Sequence, residues 1–440
     1  MIKIIFKNLW HRRAQNGWLF AELIIVTILA WEIIDPVAVS ISDHNEPLGY
    51  DADRLVNLSF ISLPENAAEY KVEEADSASN VANSAKIARY LESLPEVESA
   101  CFVGYDPILN SSSNTWDQLL SGNPAVDTLV KSVLMIQYMP DSKFFETMGI
   151  ESAPGSPSPE ELSRLSLGPR DVIVTEDYAK LFWPDENALG KKFVNVPRNS
   201  QDTVYTTIVG VIKGLRYQTI LRGRCLVFSK DRYFDYNTDF DEFTYTVRLA
   251  PDVDPKQFVA DFGPERRSQL SIGNFRLNKI ATQQALINNV EFTYGVASNR
   301  KIKMILCSFF LINLILGTVG CFWLQTRRRV SETGVLRSFG ALKSQIIKML
   351  IGESVVLASA AFVIGDLLYL QYALKEGFDI GFVNNIALNV IDNWVSNFWQ
   401  HFAVVSLIVY ALIIICVIIG TLLPALKLSR INPVDALRDE

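Results

Sequence analysis

The sequence predicts an α-helical membrane protein with four transmembrane helices and a large α/β domain outside the membrane. Four mostly apolar segments are each long enough to cross a bilayer, which takes roughly 18 residues or more. Between the first and the second lies a long stretch in which strand-like alternation and helix-like spacing follow one another. Of the 440 residues, 49% are hydrophobic, which suits a membrane module joined to a large polar domain.

The predicted transmembrane spans contain several acidic residues. The spans are the segments 17–35, 301–324, 346–372 and 402–424, and the acids are Glu22 and Glu32 in the first and Glu353 and Asp366 in the third. A carboxylate inside a span is costly and is often functional. Because these four lie toward the ends of their spans, we expect them to reach interfacial water rather than to form a proton relay.

Basic flanks predict the orientation of the chain, because short cytoplasmic loops are enriched in lysine and arginine. Basic residues precede the first span, lie between the second and third, and follow the fourth, whereas the connector 373–401 contains only Lys375. This pattern predicts a bacterial inner-membrane protein with both termini in the cytoplasm and 36–300 in the periplasm. Ala38–Ser40 has the small residues of a signal-peptide cleavage site, but a retained anchor agrees better with the other flanks.

The segment 36–300 is predicted to be split into two subdomains. Strand–helix–strand patterns occupy 36–105 and 242–300, and the residues 106–241 between them are expected to form an inserted subdomain. In the first pattern, Leu55–Leu63 alternates as a strand does and Ser79–Leu94 has helical spacing. The outer domain is therefore expected to combine two β-α-β units with an insertion.

The sequence contains no recognisable catalytic or cofactor-binding motif. It has no GxxxxGK[ST] phosphate loop, no GxGxxG between a strand and a helix, no HExxH and no GxSxG. The three histidines, His11, His44 and His401, all lie near predicted membrane boundaries, so a shared histidine site is not expected. The chain is predicted to be no enzyme and to bind neither cofactor nor metal. Whether Cys101 and Cys225 form a disulfide stays open, since spacing alone does not place them. The net charge of −7 argues against a nucleic-acid partner.

Four short motifs occur in a particular order along the chain. They are FFETMG at 144–149, a VIVTE…LFWP…LGK pattern within 172–191, ETGVLRSFGA at 332–341, and PA at 424–425 followed by NPVDALR at 432–438. Together with the order of one span, a large outer domain and three further spans, they resemble the MacB/FtsX-like permeases of ABC transporters. The resemblance runs nearly the whole length, although Trp18–Pro36 is more acidic than the glycine-rich first span of that family and Glu151–Arg170 departs from its shorter pattern.

The resemblance implies a non-catalytic membrane subunit. In that family two permease chains, alike or different, pair with each other and dock a separate cytosolic P-loop ATPase. Closure of the ATPase then moves the spans and the periplasmic domains, which is called mechanotransmission. Some members drive efflux together with a periplasmic adaptor and an outer-membrane channel, and others carry out other periplasmic tasks. The cargo is not predicted by the motifs, because the same scaffold serves different tasks.

The segment 325–345 is the predicted coupling elbow, the place where the ATPase would dock. Ser331 is expected to cap a short helix that Gly340 ends, which would leave Arg337 and Lys343 facing outward. The residues predicted to dock the ATPase are Glu332, Gly334, Arg337, Gly340, Ala341 and Lys343. The arginines at 327–329 are expected to contact lipid headgroups instead. The segment 1–16 is predicted to be an amphipathic helix on the cytoplasmic surface, with an ordinary positive flank as the alternative. A cytoplasmic tail, 425–440, follows the fourth span.

Two other classes of protein remain as alternatives. One is a membrane-anchored periplasmic sensor or ligand-binding protein with no ATPase partner, and the other is a membrane enzyme. The sensor predicts no partner for the cytoplasmic elbow, and it does not account well for four spans with motif-like ends. The enzyme is disfavoured because no catalytic set of residues is recognisable in the sequence.

Overall fold

The computed structural model describes most of the chain as two compact units. The described residues are 13–104, 109, 115–121, 130–139, 142–195, 204–219, 226–230, 240–327, 330–378 and 394–429. The described residues up to Ser42 and from Ser298 onward form one unit, called here the membrane unit. Those from Asp43 to Ala297 form the other, called here the α/β unit. Most of the predicted N-terminal helix, the NPVDALR motif, most of the predicted tail and much of the connector 373–401 lie outside the described residues.

The helices and strands follow one another along the chain in this order. They are α1 (Arg13–Asn45), β1 (Leu55–Ser62), α2 (Ser77–Ser93), β2 (Val97–Gly104), β3 (Thr115–Ser121), β4 (Val130–Tyr138), α3 (Phe144–Met148), α4 (Pro159–Arg164), β5 (Asp171–Thr175), α5 (Glu176–Phe182), β6 (Lys192–Asn195), β7 (Val204–Ile212), β8 (Leu226–Lys230), β9 (Glu242–Leu249), α6 (Pro255–Ala260), α7 (Pro264–Gln269), β10 (Phe275–Thr282), α8 (Gln283–Thr293), α9 (Val296–Arg327), α10 (Val330–Ser338), α11 (Lys343–Glu376) and α12 (Phe398–Ser429).

The α/β unit contains a four-stranded sheet built from the two ends of its sequence. The strand order is β10-β1-β9-β2, and every neighbouring pair is antiparallel. The first strand–helix–strand pattern contributes β1 and β2, and the second contributes β9, which lies between them. The two patterns therefore interleave in one sheet, as in a split β-α-β fold. Ile87 and Leu91 on α2 are fully buried with Phe60 and Phe243 of the sheet in one core. Their spacing of four residues places both side chains on one helix face.

The strands between β2 and β9 close into a six-stranded barrel of order β3-β4-β8-β5-β7-β6. Two of its pairings, β4 with β8 and β5 with β7, are parallel, and the others are antiparallel. The FFETMG motif forms α3 and places two buried phenylalanines against the barrel. Phe145 packs edge-on against Tyr138 at a centroid distance of 5.1 Å and against Phe228 at 5.5 Å. The motif therefore has a packing role in this unit.

A glycine ends α3 because its backbone must turn left-handed there. Gly149 has φ of +69°, and its N–H donates to the carbonyl of Glu146 at 3.1 Å. A Cβ at this position would lie 2.4 Å from Nη1 of Arg248. Glycine is favoured here both by the backbone conformation and by the space that the arginine occupies.

Among the described residues, three helices of the membrane unit are long and apolar enough to cross a membrane, namely α1 from Gly17, α11 and α12. They share a core in which Trp31 of α1 packs among Tyr369 of α11 and Phe402 of α12. The second predicted span lies on α9, where the side chains of 318, 321–322 and 324–327 are outside the described set. A fourth crossing therefore stays a prediction. In the α/β unit, Cys101 is a buried free thiol, and Cys225 lies outside the described residues.

Candidate functional site

The turn between α10 and α11 is fixed by hydrogen bonds within its own backbone. After Ser338 the chain reaches Gly340, whose φ is +91°. The N–H of Gly340 donates to the carbonyl of Arg337 at 3.0 Å, and that of Ala341 donates to Leu336 at 3.1 Å. This pair of bonds is a Schellman motif, in which glycine in the left-handed conformation ends a helix and satisfies its last carbonyls. Gly340 thus ends the short helix as expected.

The next helix begins directly after this turn. The N–H of Leu342, the residue before α11, donates to Oε1 of Gln345 at 3.0 Å. A glutamine at the third helical position that reaches back in this way satisfies one of the free N–H groups at a helix start. The backbone hydrogen-bonding groups at the end of α10 and at the start of α11 thus have partners within the turn itself. The elbow therefore has a defined shape without help from another protein.

The inner side of the elbow packs on the end of α12. Ile346 and Leu350 of α11 are buried against Ala425 and Leu428 of α12, and Val330 and Ala341 pack on this cluster. Arg337 is half-buried, and its Nη1 donates to the carbonyl of Ser429 at 3.2 Å. A cation at a helix C-terminus is favourable because the last carbonyls have no partner within the helix. The elbow is therefore joined to α12 by apolar contacts and by one charged hydrogen bond.

The outer side of the elbow exposes apolar side chains, which we call the elbow patch: Val335, Leu336, Phe339 and Leu342. Phe339 is 85% exposed and Leu342 is 63% exposed. Lys343, at the edge of the patch, is exposed as well. Single exposed apolar residues are ordinary, but a contiguous group on a rigid turn is typical of an interaction site.

The structure places the six predicted docking residues in different surroundings. Arg337 was expected to face outward, but it binds the end of α12 instead, because Ser429 offers a free carbonyl within its reach. Gly334 is buried, Ala341 is half-buried, and Gly340 and Lys343 are exposed. The side chain of Glu332 is outside the described set.

Sequence reasoning missed Phe339 and Leu342, the most exposed side chains of the elbow patch. It concentrated on charged residues and glycines, whereas an apolar residue on each side of Gly340 in a polar loop was the available signal. One such residue would be ordinary, but two within four positions on one turn are typical of a surface that a partner or lipid covers.

The membrane unit also corrects the expectation for two of the acidic residues. Glu353 is buried, so it does not reach water at the end of its span as expected. Asp366 accepts hydrogen bonds from Nε1 of Trp31 at 2.8 Å and from Oγ of Ser406 at 2.9 Å. These partners stand on α1 and α12, so a polar contact joins three helices. A burial of this kind is stable only when the polar atoms are paired.

The C-terminal part of the chain matches a known family. Residues 304–433 match the model of the family described as the FtsX-like permease C-terminal domain. The chain carries an FtsX-like permease domain. The match includes the elbow, α11 and α12, and it confirms the resemblance to these permeases that the motifs predicted. The elbow patch is therefore a feature of the FtsX-like permease domain itself.

The chain is also similar to several solved structures, at low identity. The periplasmic region of MacB from Actinobacillus actinomycetemcomitans is 11% identical, with 56% of this chain and 97% of that chain covered and a TM-score of 0.28. A domain of a permease protein from Porphyromonas gingivalis is 15% identical, with 52% of this chain and 90% of that chain covered and a TM-score of 0.29. The extracellular domain of the ABC-type transporter YknZ from Gram-positive bacteria is 10% identical, with 51% of this chain and 100% of that chain covered and a TM-score of 0.27. TM-scores of this size carry no argument about this chain. No curated protein matches it.

Proposed function

We propose that this chain is the membrane permease subunit of an ABC transporter, and that it docks a separate cytosolic P-loop ATPase through the elbow patch. The observation that carries the proposal is the exposed apolar group at Phe339 and Leu342, held on a rigid turn within the FtsX-like permease domain. A buried apolar anchor surrounded by polar residues is the usual centre of a protein–protein interface. Lys343 at the edge would add an attraction for an acidic rim on the ATPase.

The contacts of the elbow support a mechanical role for this docking. A force on the elbow patch would reach α12 through Arg337 and the cluster around Ile346 and Leu428. Packed side chains transmit such displacements because protein interiors are close-packed and resist compression. The chain itself would be non-catalytic, and ATP hydrolysis would take place on the partner. Its task in the periplasm would be efflux or another form of mechanotransmission.

The wider assembly is part of the same proposal. We infer that α9 provides a fourth span, that both termini are cytoplasmic, and that the α/β unit is periplasmic in a bacterial inner membrane. A second permease chain, alike or different, would complete the transporter, and an adaptor and an outer-membrane channel would join it if the task is efflux. The α9 helix supports this arrangement, since its described side chains are largely exposed and apolar, as at Ile305 and Phe309.

Co-purification tests the docking. The chain is isolated from membranes with its cytosolic partners retained, and the recovered proteins are searched for a P-loop ATPase by mass spectrometry. We expect Phe339→Glu to reduce ATPase recovery at least tenfold, because it places a charge at the centre of an apolar contact, and a tenfold change is about 1.4 kcal/mol. The matched control is Phe292→Glu, another strongly exposed phenylalanine in the α/β unit. Equal recovery with both variants would refute docking at the elbow patch. Recovery of no ATPase with the unaltered chain would favour the alternative, a membrane-anchored sensor without an ATPase.

A further inference from the structure

A buried histidine and a buried aspartate join two helices of the membrane unit. His401, near the start of α12, is 0% exposed, and Asp35 of α1 is 3% exposed. Nε2 of His401 lies 2.6 Å from Oδ1 of Asp35, which is the distance of a short, charge-assisted hydrogen bond. Neither residue belongs to the elbow. Burying two such groups is costly, so their pairing calls for a specific arrangement of protons.

The second ring nitrogen determines how many protons the imidazole holds. Nδ1 of His401 lies 2.9 Å from the carbonyl oxygen of Val395. A carbonyl oxygen only accepts hydrogen bonds, so Nδ1 must carry a proton. When Asp35 is ionised, its carboxylate oxygen also only accepts, so Nε2 then carries a proton too, whereas a protonated Asp35 would donate to a bare Nε2. The hydrogen-bond pattern is satisfied when the ring is an imidazolium and its charge is balanced by the carboxylate.

Aromatic side chains surround the ring and favour this charged form. Phe378 stacks on the imidazole at a centroid distance of 4.2 Å and an interplanar angle of 15°. Trp394 meets it edge-on at 5.4 Å. A cation over an aromatic face is attracted by the negative centre of that face. Since both partners of the pair are almost fully covered, water does not compete for the shared proton.

The other titratable groups near the pair do not replace either partner. On α1, Glu32 is exposed and lies within hydrogen-bonding reach of Tyr369 on α11, which also feels the charge of Asp35. On α11, Asp366 is already bound by Trp31 and Ser406. Both carboxylates therefore have partners of their own, and neither takes the place of Asp35 at His401.

We propose that Asp35 and His401 form a proton-binding site that holds α1 and α12 together. At neutral pH the ring nitrogens carry two protons, and the ion pair is neutral as a whole. If the proton at Nε2 is removed, a buried carboxylate faces a neutral ring nitrogen with no proton between them, and the contact between the helices weakens. The ligand is the proton itself, and the site does not depend on the proposed ATPase.

Nitrogen NMR of the full chain reads the site directly, because the sequence has only three histidines. The purified chain, labelled with [15N]histidine and placed in lipid nanodiscs, is measured between about pH 6 and pH 8, where an ordinary imidazole loses its charge near 6.5. The His401 signal is assigned with His401→Gln. Free [15N]histidine measured in the same buffers serves as the reference.

The expected result is that both nitrogens of His401 stay protonated at about pH 8, where an unperturbed imidazole is neutral about thirtyfold more often than charged. Free histidine should lose its charge over this range. A nitrogen of His401 without a proton at neutral pH would overturn the proposal. In Asp35→Asn the ring should become neutral at pH 8, whereas the matched control Glu32→Gln should leave it charged. If Asp35→Asn does not fold, the pH series of the unaltered chain still decides.

Hydrogen–deuterium exchange tests whether the site holds the two helices together. We expect His401→Gln to accelerate exchange at least tenfold in the part of α1 around Asp35 and in the first turns of α12. Exchange in the distant half of α12 should not change, and Glu32→Gln should resemble the unaltered chain. Unchanged exchange around Asp35 in His401→Gln would mean that the pair does not hold the helices, even if the ring is charged.

Discussion

Replacing Arg216 tests how the α/β unit holds the end of α1. Arg216 is 1% exposed and lies in the loop after β7. Its guanidinium donates to the carbonyls of Asp43 and Glu46, both at 3.0 Å, and to that of Thr219 at 2.5 Å. The first two acceptors belong to the last turn of α1 and to the residue just after it, where helix carbonyls lack partners within the helix. The arginine therefore completes the helix end.

The expected size of the effect follows from the three acceptors. Arg216→Met keeps much of the volume but leaves three half-buried carbonyls without this donor. An unsatisfied group costs roughly 1–3 kcal/mol when it is fully buried. The desolvation cost of the guanidinium is relieved at the same time, so we expect a net loss of about 3 kcal/mol in the free energy of unfolding of the α/β unit. For a unit of this size that corresponds to a fall in Tm of about 6–12 °C.

Differential scanning calorimetry of the full chain measures this loss. The transition of the α/β unit is the one that does not depend on the detergent used. Arg216→Lys should lose about half as much stability, because an ammonium keeps the charge but lacks the planar fork of donors. The matched control is Arg89→Met, an exposed arginine that contacts a carbonyl of its own helix, for which we expect about 0.5 kcal/mol or less. If Arg216→Met and Arg89→Met had the same Tm, the account of this helix end would be refuted.

Two further predictions concern the α/β unit. Gly149→Ala should cost more than about 2 kcal/mol, since it strains a left-handed backbone and places a Cβ against Arg248. The control is Gly263→Ala, where φ is −72° and the nearest atom to a Cβ, the carbonyl oxygen of Asp261, is 3.9 Å away. Because Gly263 precedes the first residue of a helix, this change should cost about 1 kcal/mol or less in the same unfolding assay, and equal effects would contradict the reasoning. Burial raises the pKa of the Cys101 thiol to about 12, so iodoacetamide at about pH 8.5, where a free thiol is half ionised, should alkylate it only after unfolding, as read by mass spectrometry. The stability linked to this thiol is complete below about pH 8.5 and falls as pH rises toward the folded value, and rapid alkylation of the native chain would show that the thiol is not buried.

Local patterns predicted the elements of the chain better than its long-range contacts. Strand alternation predicted Leu55–Leu63, and the structure has β1 at Leu55–Ser62. Gly340 was predicted to end a helix because glycine adopts the required left-handed conformation, and it does so. Both signals lie within a few residues of the feature that they predict, so a single sequence is enough to detect them.

The pairing of Asp35 with His401 was not predictable in this way. The two residues are separated by 366 positions, and nothing in their neighbourhoods indicates a partner. The same holds for Arg337, which was expected to face outward because its acceptor, Ser429, lies 92 positions away. Glu353 and Asp366 were expected to reach water from their positions in the span alone. The burial of Glu353 and the hydrogen bonds of Asp366 depend on how the helices pack, which hydropathy does not specify.

Photocrosslinking at the elbow tests the central proposal most directly. A photoreactive phenylalanine analogue at position 339, in otherwise unaltered cells, should crosslink the chain to a protein that carries a P-loop, because Phe339 is the most exposed apolar side chain of the elbow patch. The same analogue at position 292 should give no such product. We predict a P-loop ATPase as the main crosslinked partner at position 339. Crosslinks at that position to lipid alone, with no ATPase, would contradict the account of this chain as a permease subunit that docks its ATPase at the elbow.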